Sequence, residues 1–141
     1  MLSVHLVIPC YKESQRLPFF LPRLCEEMER LGGVNIMVVD DGSGPGEAAA
    51  TRAYIDSIRS AHPCLRAMLE LPENRGKGGA VYAGWEQHTG EEMLAFVDAD
   101  GSCTAAETAR LISLARATAD SRNGETPLPA LFASIASSSA I

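Results

Sequence analysis

Four short apolar runs, Val4–Pro9, Asn35–Asp40, Leu65–Leu71 and Met93–Asp98, limit what this chain can fold into. Each is rich in Val, Ile, Leu, Met or Phe and lacks polar alternation, as in strands covered on both faces by helices. Segments with helical spacing separate them. Leu17–Leu31 sets Leu17, Phe20, Leu21, Leu24, Met28 and Leu31 on one stripe, with Pro22 expected in the first turn. Ala48–Ala61 carries Ala50, Tyr54, Ile55 and Ile58 in the same way, and a shorter helix is expected over Gly79–His88, behind a glycine cluster. Thr104–Ala119 opens on Thr104 as N-cap, with Glu107 three residues on and then Ile112, Leu114 and Ala115. Strand and helix therefore alternate through the chain, which predicts an α/β fold on a mostly parallel sheet with right-handed crossovers. Asp120–Pro129, with Gly124, Pro127 and Pro129, is expected as a loop, and Ala130–Ser134 as the start of a fifth strand.

Composition narrows the partners. At 141 residues the chain suits a single domain, and 46% apolar with 21% charged residues is a globular balance. The net charge of −6, with no stripe of Lys and Arg, argues against nucleic acid. A phosphate-bearing ligand on so acidic a protein calls for a bridging cation. No apolar run reaches the length of a membrane span, and Met1–His5 does not open a signal peptide. Cys10, Cys25, Cys64 and Cys103 show no Cys-x-x-Cys spacing, which points to reduced, partly buried thiols. His5, His62 and His88 are equally scattered. The expectation is a soluble, cytoplasmic protein.

Unusual polar residues gather behind the expected strands, where open α/β sheets bind ligands. Pro9, Tyr11 and Glu13 follow the first run, and Asp40, Asp41, Gly42 and Ser43 the second. Asn74-Arg75-Gly76-Lys77-Gly78-Gly79 follows the third, and Asp98, Asp100 and Ser102 the fourth. Asp98-Ala99-Asp100 can turn two carboxylates toward one hard cation, Mg²⁺ or Mn²⁺, which prefers oxygen ligands and bridges protein to phosphate. An Asp-rich turn closed by Gly101 is the other interpretation. Asp40 and Asp41 can accept hydrogen bonds from a base N–H or a ribose hydroxyl, or can cap the next helix. The glycine-rich segment around Lys77 can offer backbone N–H groups and an ammonium to phosphate, yet it is not a P-loop, because Lys77 is followed by glycine. Tyr11 can stack on a base or simply pack.

Together, Val7-Ile8-Pro9-Cys10-Tyr11-Lys12-Glu13, Val38-Val39-Asp40-Asp41-Gly42-Ser43, Asn74-Arg75-Gly76-Lys77-Gly78-Gly79-Ala80-Val81 and Val97-Asp98-Ala99-Asp100-Gly101-Ser102 resemble the family 2 glycosyltransferases of GT-A fold. Gln15-Arg16-Leu17-Pro18 and the segment from Asn74 narrow the resemblance toward dolichyl- or polyprenyl-phosphate glucose and mannose synthases. It covers Val4 to about Ser102. The resemblance implies a Rossmann-like fold and inverting transfer of a sugar from a UDP- or GDP-sugar, UDP-glucose or GDP-mannose, to an acceptor such as a polyprenyl phosphate. By the family's pattern Pro9, Tyr11, Glu13 and one or both of Asp40 and Asp41 hold the nucleoside, and Lys77 lies near the nucleotide. Asp98 and Asp100 carry the divalent metal and the diphosphate, with Ser102 at a third metal contact.

Two departures stand out. Lys12 occupies a position where the family usually has asparagine. The acceptor-side acidic base, the basic residues that grip phosphate and the family's further strands are not recognisable in Asp120–Ile141, so the base is expected beyond Ile141. The chain is therefore expected to be one incomplete domain: a nucleotide-sugar-binding half over Met1–Ala119, then a loop and partial strand. Such a fragment is expected to bind a metal–nucleotide weakly without turnover, and the full-length enzyme to lie in the cytoplasm or at the membrane periphery. Phe96–Ser102 also resembles the first motif of haloacid-dehalogenase-type phosphatases, with Asp98 as nucleophile and Asp100 as general acid/base. That alternative leaves the upstream motifs unexplained. A non-catalytic nucleotide-binding remnant is the other rival.

Overall fold

The structure is a computed structural model that describes residues 1–121 and, for the backbone, 132–135. Its elements are β1 (Val4–Cys10), α1 (Leu17–Leu31), β2 (Val34–Asp41), α2 (Pro45–Ile58), β3 (Leu69–Leu71), α3 (Gly76–Trp85), β4 (Met93–Val97), α4 (Ala105–Ser121) and β5 (Phe132–Ile135). The strands form one sheet in the order β3-β2-β1-β4-β5, and every pairing is parallel. The chain builds outward from β1 to β3, then crosses back to place β4 on the other side of β1. The carboxyl ends of β1 and β4 thus flank the point where strand order reverses, the place where α/β sheets open a crevice.

Both faces of the sheet are covered, as the unalternated strands require. On one face Leu6, Ile8 and Ile36 pack with Leu17, Leu21, Leu24 and Met28 of α1, Ile55 of α2 and Ile112 of α4, all at most 1% exposed. On the other face Val7, Met37 and Val39 meet Ala80, Val81, Ala83 and Trp85 of α3. The second layer is thin because α3 lies very close to the strands. A Cβ on Gly84 would fall 2.8 Å from side-chain carbons of both Val7 and Val39. Trp85 closes this layer by donating its indole N–H to the Ala95 carbonyl at 2.9 Å.

Most differences from the expected elements lie at their boundaries. Pro22 sits inside α1, past its first turn, and Pro18 takes the early position that needs no N–H donor. Leu65 forms only an isolated bridge to Ile36, so β3 is confined to Leu69–Leu71. Helices α2 and α3 each begin three residues earlier than expected, at Pro45 and Gly76. Thr104 caps α4 as expected, its Oγ1 accepting from the Glu107 N–H at 3.1 Å. Asp120 belongs to that helix rather than to the following loop, most of which lies outside the described residues.

Candidate functional site

A cavity of about 460 Å³ opens at the carboxyl ends of the strands. Pro9, Cys10, Tyr11 and Glu13 line it from β1 and the turn after it, and Asp41 from the end of β2. Asn74, Gly76 and Lys77 enter from the start of α3, and Asp98, Ala99 and Asp100 from the turn after β4. Seven of the nine expected site residues, Pro9, Tyr11, Glu13, Asp41, Lys77, Asp98 and Asp100, are brought together here. Asp40 and Ser102 are not part of the lining.

Asp40 is 1% exposed, and its Oδ2 accepts the Ser43 N–H at 3.1 Å. The Ser43 hydroxyl oxygen in turn accepts the Lys12 N–H at 2.8 Å. Asp40 therefore ties the turn after β2 to the turn after β1 and supports the wall from behind. Asp41 reaches the cavity. Its Oδ1 accepts the Arg75 N–H at 2.7 Å, and its carbonyl accepts from Asn74 Nδ2 at 3.0 Å. Between these bonds Gly42 has φ 67°, and a Cβ there would lie 2.3 Å from the Asn74 nitrogen. Only glycine lets the two turns touch.

Glu13 carries an unusual feature. Its Oε1 accepts from Arg16 at 2.6 Å, but its Oε2 is buried without a hydrogen-bond partner among the described residues. A buried carboxylate oxygen lacking a donor is costly, and a ligand N–H or O–H would relieve the cost. Tyr11 stands 46% exposed at the mouth, with the Lys12 ammonium over its ring, 5.2 Å from the centre. Cys10 is part of the wall only: burial, reinforced by the charges of Glu13 and Asp40, pushes its thiol well above the usual range. It is an inert thiol.

The far side of the cavity is built for negative charge and its counter-ions. Helix α3 opens at the cavity with Gly76 and Lys77 in the lining; its N-cap residue Arg75 makes no side-chain cap bond, and Asn74 Oδ1 accepts the Gly76 N–H at 3.1 Å. Lys77, on its first turn, forms an ion pair with Asp98 Oδ1 and lies 5.4 Å from the centre of the Phe96 ring. Asp100 Oδ1 accepts from the Ser102 hydroxyl at 2.6 Å and the Ser102 N–H at 2.9 Å. These two bonds, hydroxyl first, hold the Asp100 carboxyl below its usual range despite partial burial. Ser102 thus orients Asp100.

The donor set suits a divalent cation that brings ligands of its own. Among the described residues no group of three or more His, Cys, Asp or Glu side chains could hold a metal. Asp98 and Asp100 supply two hard carboxylates, which matches Mg²⁺ or Mn²⁺ when phosphate oxygens and water complete the shell. A closed, all-protein metal cage is not what this arrangement offers.

Asn74 and Gly76 also line the cavity, although the sequence marks them only as part of the glycine-rich motif. Their signal was the glycine-rich start of α3, which becomes cavity wall only once Asp41 has fixed the turn.

Residues 5–122 match the signature of Glycosyl transferase family 2. The chain belongs to that family. It is 34% identical over 125 residues to the polyprenol monophosphomannose synthase of Mycolicibacterium smegmatis, a match covering 87% of this chain and 44% of that protein. With the dolichyl-phosphate beta-glucosyltransferase of Drosophila melanogaster it shares 36% over 107 residues, 72% of this chain and 32% of the other. The chain thus spans less than half the length of these family 2 relatives. Among solved structures, the mannosyltransferase PcManGT from Pyrobaculum calidifontis, in complex with GDP-Man and Mn²⁺, aligns with TM-score 0.57 and 27% identity. That alignment covers 70% of this chain and 28% of the other. Family 2 membership accounts for all four motifs, whereas the phosphatase alternative explains only Asp98 and Asp100.

Proposed function

We propose that the cavity binds the nucleotide-sugar donor of a family 2 sugar transfer, with a divalent cation between protein and diphosphate. The observation that carries this proposal is the shared cavity itself. Asp98 and Asp100 line it together with Glu13, Asp41 and the start of α3, where Lys77 pairs with Asp98 and Asp41 accepts the Arg75 N–H. Tyr11, Pro9, Glu13 and Asp41 hold the nucleoside, the orphaned Glu13 oxygen taking a base N–H or a ribose hydroxyl. Asp40 keeps the turn in shape. Asp98 and Asp100 hold Mg²⁺ or Mn²⁺, with Ser102 orienting the second carboxylate. When bound, such a cation stabilises the charge growing on a departing diphosphate.

The relatives named above and the GDP-Man and Mn²⁺ of the solved mannosyltransferase support a UDP- or GDP-sugar donor, UDP-glucose or GDP-mannose, and a polyprenyl-phosphate acceptor. The sugar is transferred with inversion in the full reaction. Inverting transfer to a hydroxyl needs a base beside it, whereas a polyprenyl phosphate is already anionic at neutral pH and needs cationic groups that hold it beside the donor. The carboxylates of this cavity, Glu13, Asp41, Asp98 and Asp100, are all committed to the donor or its metal. The segment Met1–Ala119 therefore acts as a donor-binding unit, and the 141-residue chain alone holds the donor without completing transfer. Incubation with radiolabelled UDP-glucose or GDP-mannose, Mn²⁺ and a polyprenyl phosphate tests this. The expected result is no labelled lipid above an Asp98→Ala/Asp100→Ala control, and transfer well above that control would overturn the assignment.

A further inference from the structure

Lys77 and Asp98 form an ion pair inside the proposed donor cavity, and the partners differ in exposure. The Asp98 side chain is 16% exposed and that of Lys77 43%. The pair lies against the Phe96 ring, whose face favours a cation. An ammonium on Asp98 Oδ1 and a divalent ion at the same carboxylate oppose each other, because like charges a few ångströms apart repel in a partly dry site. Among the described residues no third metal-ligating side chain joins Asp98 and Asp100, and Lys77 already neutralises one of the two.

We infer that Lys77 is the resident counter-cation of Asp98 and is exchanged for the divalent ion when the donor arrives. Without nucleotide, the ammonium keeps Asp98 from standing as an uncompensated, largely buried charge and blocks it from metal. When a nucleoside diphosphate enters, Lys77 has a second anion within reach from the first turn of α3 and releases Asp98. Metal and nucleotide then favour each other's binding, with an equal coupling in both directions. Lys77 is thus a positioning residue that makes metal uptake depend on the donor, a role that rests on the donor-site assignment above.

The test follows Mn²⁺ binding to the 141-residue chain by electron paramagnetic resonance, first without nucleotide and then with UDP or GDP. Lys77→Met is expected to bind Mn²⁺ alone roughly fivefold more tightly than the unaltered chain, the scale of one partly exposed ion pair. Lys77→Arg, which keeps the charge, should behave like the unaltered chain. Adding Asp98→Asn to Lys77→Met should remove the gain. Nucleotide should improve Mn²⁺ binding strongly in the unaltered chain and much less in Lys77→Met. The exchange is overturned if Lys77→Met binds Mn²⁺ alone no better than the unaltered chain, or if the gain survives Asp98→Asn. A Lys77→Met gain in a chain that binds neither nucleotide at saturating Mn²⁺ would retain competition at Asp98 and refute the donor assignment instead.

Discussion

The carboxylate of Asp41 accepts the backbone N–H of Arg75 at 2.7 Å, so the last residue of β2 sets where α3 begins. Asp41 therefore serves both architecture and ligand. Replacing it with alanine leaves the Arg75 N–H without its acceptor and is expected to cost roughly 1–3 kcal/mol. Asparagine keeps an acceptor oxygen and loses only the charge. Asp41→Asn should stay close to the unaltered chain in urea denaturation while weakening nucleotide binding about tenfold. Equal losses of stability in both variants would show that the charge, not the hydrogen bond, holds the turn.

Gly42 is the second constraint at this corner. At φ 67°, with the Asn74 nitrogen 2.3 Å from any added Cβ, Gly42→Ala must push the turn after β2 away from the start of α3. The expected cost is about 2–4 kcal/mol, combining left-handed strain with a backbone clash. Gly44, at φ 100° and ψ 158°, has no atom within 4 Å of an added Cβ but holds an essentially glycine-only backbone, so Gly44→Ala should cost about 1–3 kcal/mol from strain alone. Chemical denaturation of the pair separates clash from strain.

Lys12 is the only described non-glycine residue in the left-handed region, at φ 56°. Asparagine enters that region more readily than lysine because its short amide bonds locally. Lys12→Asn should raise stability by about 0.5 kcal/mol and leave the Lys12 N–H bond to Ser43 intact. An unchanged or lower denaturation midpoint would contradict this.

At the opposite end of the sheet Glu91 anchors a polar cluster. It pairs with Arg66, which also contacts His5, and it accepts from Asn35 at 3.0 Å. Burial works against its charge, but the N–H groups of Thr89 and Glu91 and the side chains of Asn35 and Arg66 outweigh it and bring its pKa down to about 2. A carboxylate whose folded pKa lies below its unfolded value stabilises fully above the unfolded value, here 4.5, and loses that contribution as pH falls toward about 2. The denaturation midpoint should therefore fall between these pH values, by the equivalent of about 3 kcal/mol before solvent screening and about 2 kcal/mol after it. Glu91→Gln should flatten that decline, and an unchanged acid limb would refute the assignment.

Much of this was legible beforehand, for identifiable reasons. Helix α1 spans Leu17–Leu31 as its apolar stripe requires, and the buried strands stood out because they lack polar alternation. Helix α3 starts before the expected Gly79 because Gly76 and Gly78 look like loop, whereas packing of the helix on the sheet outweighs their poor helix propensity. The choice between Asp40 and Asp41 was open for a geometric reason. Adjacent strand residues point to opposite faces, so one faces the support and the other the cavity, and only the register with the neighbouring turns decides which. The ion pair of Lys77 with Asp98 joins residues far apart in the chain, and the burial of the Glu13 oxygen depends on what surrounds it, so both needed the fold to be seen.

Calorimetric titration of the chain with UDP and GDP, with and without Mn²⁺, tests the central claim most directly. One nucleotide should bind in the presence of Mn²⁺, weaken sharply without it, and fail to bind Asp98→Ala/Asp100→Ala. Binding that ignores both the metal and this double substitution, or no binding by a folded sample, would contradict a metal-dependent donor site.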